Sequence, residues 1–239
     1  MPLSPTPAWL LPTFVRAATG AGSAASTASI ERAGRRLLAR WEEPRRHFHN
    51  VRHLIDLLQH VDELQQETHN PHVVRLAAWY HGAIFSSDEA DAYAHRGGED
   101  EDASAEYARL ELASLDMPAT AIDAVATMVK ALSRHTRNPV SSDCAVLCDA
   151  DLAVLASDPQ RYKDYVRDVR EEYAYIPERE FLVARKAIVK KLLAREQLYV
   201  SPLGATWEQS ARQNLAAEAS RIDKALAQLV ANDGEVSAN

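Results

Sequence analysis

Glycine is scarce in this chain, with eight residues in 239, and strand-like alternation of apolar and polar residues is rare. Both shortages favour an all-helical fold over a sheet. No apolar run approaches the roughly 20 residues that a membrane-spanning helix needs. The segment from Met1 to Phe14 lacks the charged start and continuous apolar run of a signal peptide. The two cysteines, Cys144 and Cys148, lie four residues apart on a predicted helix and do not indicate a disulfide framework. We therefore expect an all-α protein of the cytoplasm.

The chain has no excess of basic residues. Its 27 lysines and arginines face 34 aspartates and glutamates, which gives a net charge of −7. This balance disfavours a nucleic-acid polymer as the main partner. No segment between the predicted helices is long enough to require two domains. We predict an N-terminal segment over 1–27 that is partly loop, one helical domain over 28–230, and a frayed tail over 231–239.

Apolar residues recur at helical spacing along most of the chain. The pattern predicts helices over residues 30–41, 51–64, 71–84, 102–115, 118–134, 143–155, 159–173, 177–195 and 206–230. Residues 18–27 are small and polar, residues 86–100 are rich in Asp, Gly and Ser, and both segments are predicted loops. Asn70-Pro71 and Asp158-Pro159 each combine an N-cap residue with a proline at the first helical position.

Several histidines and carboxylates lie where a polar side chain needs a partner. His49 and His53 are four residues apart and share a helix face. His81 ends a helix that is apolar on nearly every side, and Asp149 and Asp151 interrupt another apolar run. A bound zinc, iron, manganese or nickel ion would satisfy all these groups together. A pair at the spacing of His49 and His53 is also common on solvated helix faces, so spacing alone leaves both interpretations open.

Six short motifs occur in a fixed order between Pro7 and Ile222. They are Arg46–Asn50 with His53, Ala77–His81, Glu101 with Ser104 and Ala105, Asp149–Leu152, Val169–Tyr173, and Asn214 with Leu215. This ordered set resembles the HD-domain superfamily of metal-dependent phosphohydrolases. It looks most like the bacterial group described as predicted metal-dependent HD phosphohydrolases. The His-Asn-x-x-His element followed by Asp56 is also similar to the first metal motif of cyclic-nucleotide phosphodiesterases. The resemblance implies a single-domain, all-α HD fold with a phosphodiesterase-like helical core.

The resemblance also implies roles for individual residues. His53, His81 and Asp151 match the metal ligands, and His49 matches the position that serves as proton donor in the phosphodiesterases. Glu101 matches an acidic residue for which acid–base catalysis or water positioning is one role. A glutamate that the dipole favours at a helix start is an equally good interpretation of Glu101.

Two further residues are assigned to substrate binding. His135 matches a family histidine that could face the substrate phosphate, although it could equally be an ordinary polar residue near a helix end. Asp149 lies beside the distal ligand Asp151 and matches the ligand position less well than Asp151 does.

Gly82 departs from the family pattern, because HD enzymes carry an aspartate there that bridges two metal ions. Glycine offers no carboxylate, so the remaining ligands imply one divalent transition-metal ion rather than two. The loop over residues 86–100 carries Asp88, Glu89 and Asp91, any of which could supply the missing carboxylate.

These features predict a metal-dependent phosphohydrolase that acts on a nucleotide or another small phosphate ester and is weakened by Gly82. One alternative is a non-catalytic HD-fold protein that binds a metal or a nucleotide. A third interpretation is an iron oxygenase, which Gly82 disfavours because oxygen chemistry in this fold relies on two irons. We expect a small phosphorylated metabolite or nucleotide as partner, with no membrane contact. Whether the protein forms a homodimer stays open.

Overall fold

A computed structural model describes residues 6–86, 98–133 and 140–236 of the chain. Almost all regular structure in these residues is helical, which confirms the all-α prediction. The helices are α1 Leu10–Gly20, α2 Thr27–Trp41, α3 Val51–Leu64, α4 Pro71–Tyr80, α5 Glu101–Ala113, α6 Ala119–Leu132, α7 Ser142–Leu152, α8 Pro159–Glu172, α9 Glu178–Leu193 and α10 Glu208–Val236. Single 3₁₀ turns span Gln65–Glu67, Ala153–Ala156 and Gly204–Trp207. Two short strands, β1 Phe85–Ser86 and β2 Gly98–Glu99, form one antiparallel pair.

Helix starts follow the capping residues that the sequence displays. The Asn70 side chain accepts a hydrogen bond from the backbone N–H of Val73 at 3.2 Å, and Pro71 is the first residue of α4. The Asp158 side chain likewise accepts hydrogen bonds from two backbone N–H groups of the first turn of α8. These side chains satisfy donors that a helix cannot satisfy internally.

Helix α1 lies within the segment for which we predicted no helix. Its buried residues Leu10, Phe14, Ala17 and Ala18 follow helical spacing. Pro12 lies in the first turn, where a backbone N–H would have no partner inside the helix, so the ring does not break the helix. The predicted loop over residues 18–27 shortens to residues 21–26. At the other end of the chain, α10 extends to Val236, beyond its predicted end at residue 230.

The chain divides into two compact units, Met1–Asp151 and Leu152–Asn239. In the first unit, α4 is the central helix: seven of its ten residues are buried, and it packs against α1, α3 and α6. Trp41 of α2 and Trp79 of α4 are both fully buried. The indole N–H of Trp41 donates to the carbonyl oxygen of Trp79 at 3.1 Å, so the two helices share a hydrogen bond as well as apolar contacts.

The second unit is built from α8, α9 and α10. Its core contains Leu155, Tyr162, Val189, Leu192, Leu198, Tyr199, Ala211, Leu215 and Ile222. The side-chain amide of Asn214 donates to the carbonyl oxygens of Leu155 at 2.9 Å and Ser157 at 2.8 Å, which ties α10 to the segment before α8. Within the part of the chain that the structure describes, no helix combines the length and the apolar composition needed to cross a membrane.

Candidate metal centre

His53 is presented by the start of α3, and Asn50 fixes that start. The Asn50 side-chain oxygen accepts from the backbone N–H of Arg52 at 2.8 Å, while its amide donates to the carbonyl oxygen of His47 at 2.6 Å. This double contact sets where α3 begins and places His53 in its first turn. The His53 side chain is buried.

His81 follows the last residue of α4 and is fully buried. Its Nδ1 lies 2.7 Å from the carbonyl oxygen of Ala78, a group that can only accept. Nδ1 therefore carries the proton, and Nε2 presents its lone pair. Burial lowers the pKa of His81 below its ordinary value, although the nearby Glu99 and Asp151 carboxylates oppose that shift. A neutral ring with this tautomer is the form that binds a metal ion through Nε2.

The structure brings together the three residues that the family resemblance assigns as ligands. The Nε2 atoms of His53 and His81 are 3.1 Å apart. Oδ1 of Asp151, on α7, lies 3.3 Å from Nε2 of His53 and 3.8 Å from Nε2 of His81. Two ligand atoms that each lie about 2.0–2.2 Å from one ion stand about 3–3.5 Å apart in a tetrahedral or octahedral site. The two separations from Nε2 of His53 lie in that range, and the separation between Asp151 and His81 is slightly longer.

Glu99 is a fourth member of this cluster, and the sequence did not reveal it. Its Oε1 lies 3.7 Å from Nε2 of His81, and its Oε2 lies 3.8 Å from Nε2 of His49. Oε1 is buried, yet it has no hydrogen-bond partner among the described residues. Ligand atoms of His53, His81 and Glu99 all lie within 4.8 Å of one another, so the three residues could hold a metal ion. A cation would supply the partner that this buried oxygen lacks.

The pairing of β1 with β2 brings Glu99 close to His81 and His49. Phe85 pairs with Glu99 and Ser86 pairs with Gly98, so β2 runs back beside the segment that follows His81. Gly98 has φ of +102°, a conformation that glycine adopts readily and other residues adopt at a cost. The carboxylate therefore comes from the predicted loop over residues 86–100, whose acidic residues the sequence offered as possible substitutes for a carboxylate at position 82. The residues that we named there, Asp88, Glu89 and Asp91, lie outside the described residues.

Trp41 fills the space in which a side chain at position 82 would lie. A Cβ atom built on Gly82 would stand 2.4 Å from Cη2 of Trp41, closer than real Cβ atoms approach other heavy atoms. The indole ring also lies 5.1 Å from the His81 ring, between centroids. Buried Arg46 holds the same turn, because its Nη1 donates to the carbonyl oxygen of Gly82 at 2.7 Å. Glycine at this position is a packing requirement of Trp41.

The other predicted site residues occupy different places. His49 is half-buried and reaches the cluster through Glu99. Glu101 is the first residue of α5, two residues after Glu99. Asp149 is buried on α7, two residues before Asp151, whose Oδ1 lies 3.3 Å from Nε2 of His53. His135 lies outside the described residues.

Comparison of the chain with protein-family models, with curated proteins and with solved structures gave no match. The HD resemblance therefore depends on the sequence motifs alone, and the activity that it implies is a proposal.

Proposed function

We propose that this chain is an HD-type, metal-dependent phosphohydrolase that acts on a nucleotide or another small phosphate ester in the cytoplasm. The observation that supports it is the convergence of two buried imidazole nitrogens with the carboxylates of Asp151 and Glu99. Imidazole and carboxylate ligands suit manganese, zinc, nickel or iron. We propose one ion rather than two, because no side chain at position 82 can bridge a pair.

Each residue has a defined task in this proposal. His53, His81, Asp151 and Glu99 would hold the ion, which when bound polarises a phosphoryl oxygen and lowers the pKa of a coordinated water. The carbonyl oxygen of Ala78 keeps the His81 ring in the required tautomer. His49 would donate a proton to the leaving oxygen. The Glu99 carboxylate, 3.8 Å from Nε2 of His49, can orient that ring.

A non-catalytic metal-binding protein is the second candidate, and the contact between Trp41 and Gly82 favours it. Because the indole ring fills the place of the bridging aspartate, this centre lacks the carboxylate that holds two cations in HD enzymes. The two candidates differ in turnover and not in metal content. Metal analysis of the purified protein, followed by hydrolysis assays on phosphate esters with added manganese, zinc, nickel or iron, separates them.

Loss of His53 is expected to lower metal content and thermal stability together. An ion that binds only the folded chain stabilises it by about 2.7 kcal/mol at a free concentration of 100 times its Kd, and His53→Ala should remove most of that gain. Metal analysis and thermal unfolding, each with and without chelator, measure both effects. His60→Ala on the same helix is the control, because His60 is partly exposed and pairs with Glu63. Equal responses to chelator in wild type and in His53→Ala would contradict the proposed centre.

Replacement of Glu99 by glutamine tests the ligand that the sequence did not reveal. Glutamine keeps the shape but removes the charge, and we expect metal affinity to fall at least about 10- to 100-fold, the loss typical when a partner of a metal ligand is removed. Competition with a metal-binding dye measures the affinity. Exposed Glu106 on α5 provides the control Glu106→Gln. A loss of affinity in Glu101→Gln, with none in Glu99→Gln, would show that the carboxylate comes from Glu101 instead.

A further inference from the structure

The second unit contains a pocket of about 320 Å³, and four of its eight lining residues are cations. Lys163, Arg167 and Arg170 come from α8, and Arg221 comes from α10. The three residues of α8 are spaced at i, i+4 and i+7, so they lie on one face of that helix. Phe181 of α9 contributes to the apolar part of the lining. The pocket therefore combines several cations with an apolar wall, although the chain as a whole has a net charge of −7.

Most of this positive charge is not neutralised within the protein. Among the described residues, neither Lys163 nor Arg221 forms an ion pair. Arg170 is held by neutral groups: its two terminal nitrogens donate to the carbonyl oxygens of Tyr173 at 2.6 Å and Ile176 at 2.9 Å. Its guanidinium also lies 4.8 Å from the centre of the Phe181 ring. These contacts fix the position of the charge without cancelling it.

Two features reduce the positive charge but do not remove it. Arg167 pairs with Asp164 at 2.6 Å and with Asp168 at 2.9 Å, so its charge is largely satisfied. Glu178 also lines the pocket, and it lies in the first turn of α9, where the positive end of the helix dipole offsets its charge. Lys163, Arg170 and Arg221 remain without an acidic partner to meet an incoming anion.

We propose that this pocket binds a small soluble molecule that carries phosphate groups and an apolar portion. Its volume is at the lower end of the range for small-molecule sites, which suits a ligand no larger than a mononucleotide. The exposed Lys163 and Arg221, together with Arg170, which is held by its contacts with two carbonyl oxygens and Phe181, would bind the phosphate oxygens. Phe181 and its apolar neighbours would contact the rest of the ligand. The proposal uses residues of the second unit only and does not depend on the metal centre.

Titration calorimetry with pyrophosphate, and then with a mononucleotide, tests this site on the full-length protein in the presence of a chelator. Lys163→Gln and Arg221→Gln should each weaken binding about fivefold, the effect of one lost charge contact in water at about 4 Å. Because both residues are exposed, neither substitution should affect folding. The double variant should lose about 25-fold if the two effects add. Raising the salt concentration should weaken binding to the wild type, because exposed charges are screened.

Lys224→Gln is the matched control, since Lys224 is an exposed cation on α10 that does not line the pocket. We expect it to bind pyrophosphate as the wild type does. Equal binding by the wild type and the double variant would overturn the proposal, as would an equal loss in Lys224→Gln. Binding only to acidic phospholipid vesicles or to an acidic peptide, with none to pyrophosphate or the nucleotide, would also overturn it. A defect in the metal-centre variants leaves this result unaffected, so the two proposals fail separately.

Discussion

Replacing Gly82 with aspartate is expected to destabilise the protein by about 3 kcal/mol or more, and not to create a two-metal centre. The new Cβ atom would meet three atoms of the Trp41 indole, at 2.4, 2.9 and 3.0 Å. Trp41 cannot turn away easily, because its ring is fully buried and its N–H is bonded to the carbonyl oxygen of Trp79. The aspartate would add the cost of a buried carboxylate to that of overpacking. Denaturant unfolding and metal analysis measure the outcome.

Two further variants show whether the indole causes the effect. Gly82→Ala adds only the Cβ atom and should already cost about 1–3 kcal/mol. In a Trp41→Phe background the smaller ring leaves room, so Gly82→Ala should cost much less there, which a double-mutant cycle reports as a favourable coupling. A Gly82→Asp protein with wild-type stability and twice the metal content would show that position 82 accepts a carboxylate and that the glycine is a true deficiency.

Position 82 shows a feature that the sequence alone does not explain, which is the reason that a glycine stands there. The sequence motifs mark Gly82 as a departure and indicate only that a ligand is missing there. The physical reason for glycine is a contact with Trp41, which lies 41 residues earlier on another helix. Local pattern carries no information on such a contact, because it depends on how α2 packs against the end of α4.

Helices and their starts were the most predictable part of the fold. The apolar spacing of α3 and the caps at Asn70 and Asp158 are local signals, and the structure matches them. Helix α1 is absent from the predicted helices although its buried residues follow helical spacing, and Pro12 in its first turn costs no helical hydrogen bond.

The candidate site was predictable only where a residue lies in a recognisable motif. His53, His81 and Asp151 each occur in one, and their side chains do lie together. Glu99 occurs in a polar segment with several other acidic residues, and only the pairing of β2 with β1 selects it. Strands of two residues give too little alternation of apolar and polar side chains to fix the register from sequence.

Breaking the buried ion pair of the second unit is the other substitution with a large expected effect. The Arg185 guanidinium donates to Glu218 through Nε at 2.7 Å and Nη2 at 3.2 Å, and the Tyr162 hydroxyl donates to the same carboxylate. Burial and the Glu218 carboxylate raise the pKa of Tyr162 well above its ordinary value, so the tyrosine stays a donor. Glu218→Gln would leave the Arg185 charge buried without a carboxylate to neutralise it. We expect a loss of about 3–5 kcal/mol in the free energy of unfolding.

The chain contains a matched exposed pair that isolates the effect of burial. Arg35 and Glu31 lie 3.3 Å apart with side chains 66% and 42% exposed, against 9% and 2% for Arg185 and Glu218. Glu31→Gln should therefore cost less than about 1 kcal/mol, because water solvates the arginine that remains. Replacing both Arg185 and Glu218 with methionine should cost less than Glu218→Gln alone, since no unpaired charge stays in the core. Equal costs for Glu218→Gln and Glu31→Gln in denaturant unfolding would mean that the Arg185 charge reaches solvent when its partner is lost.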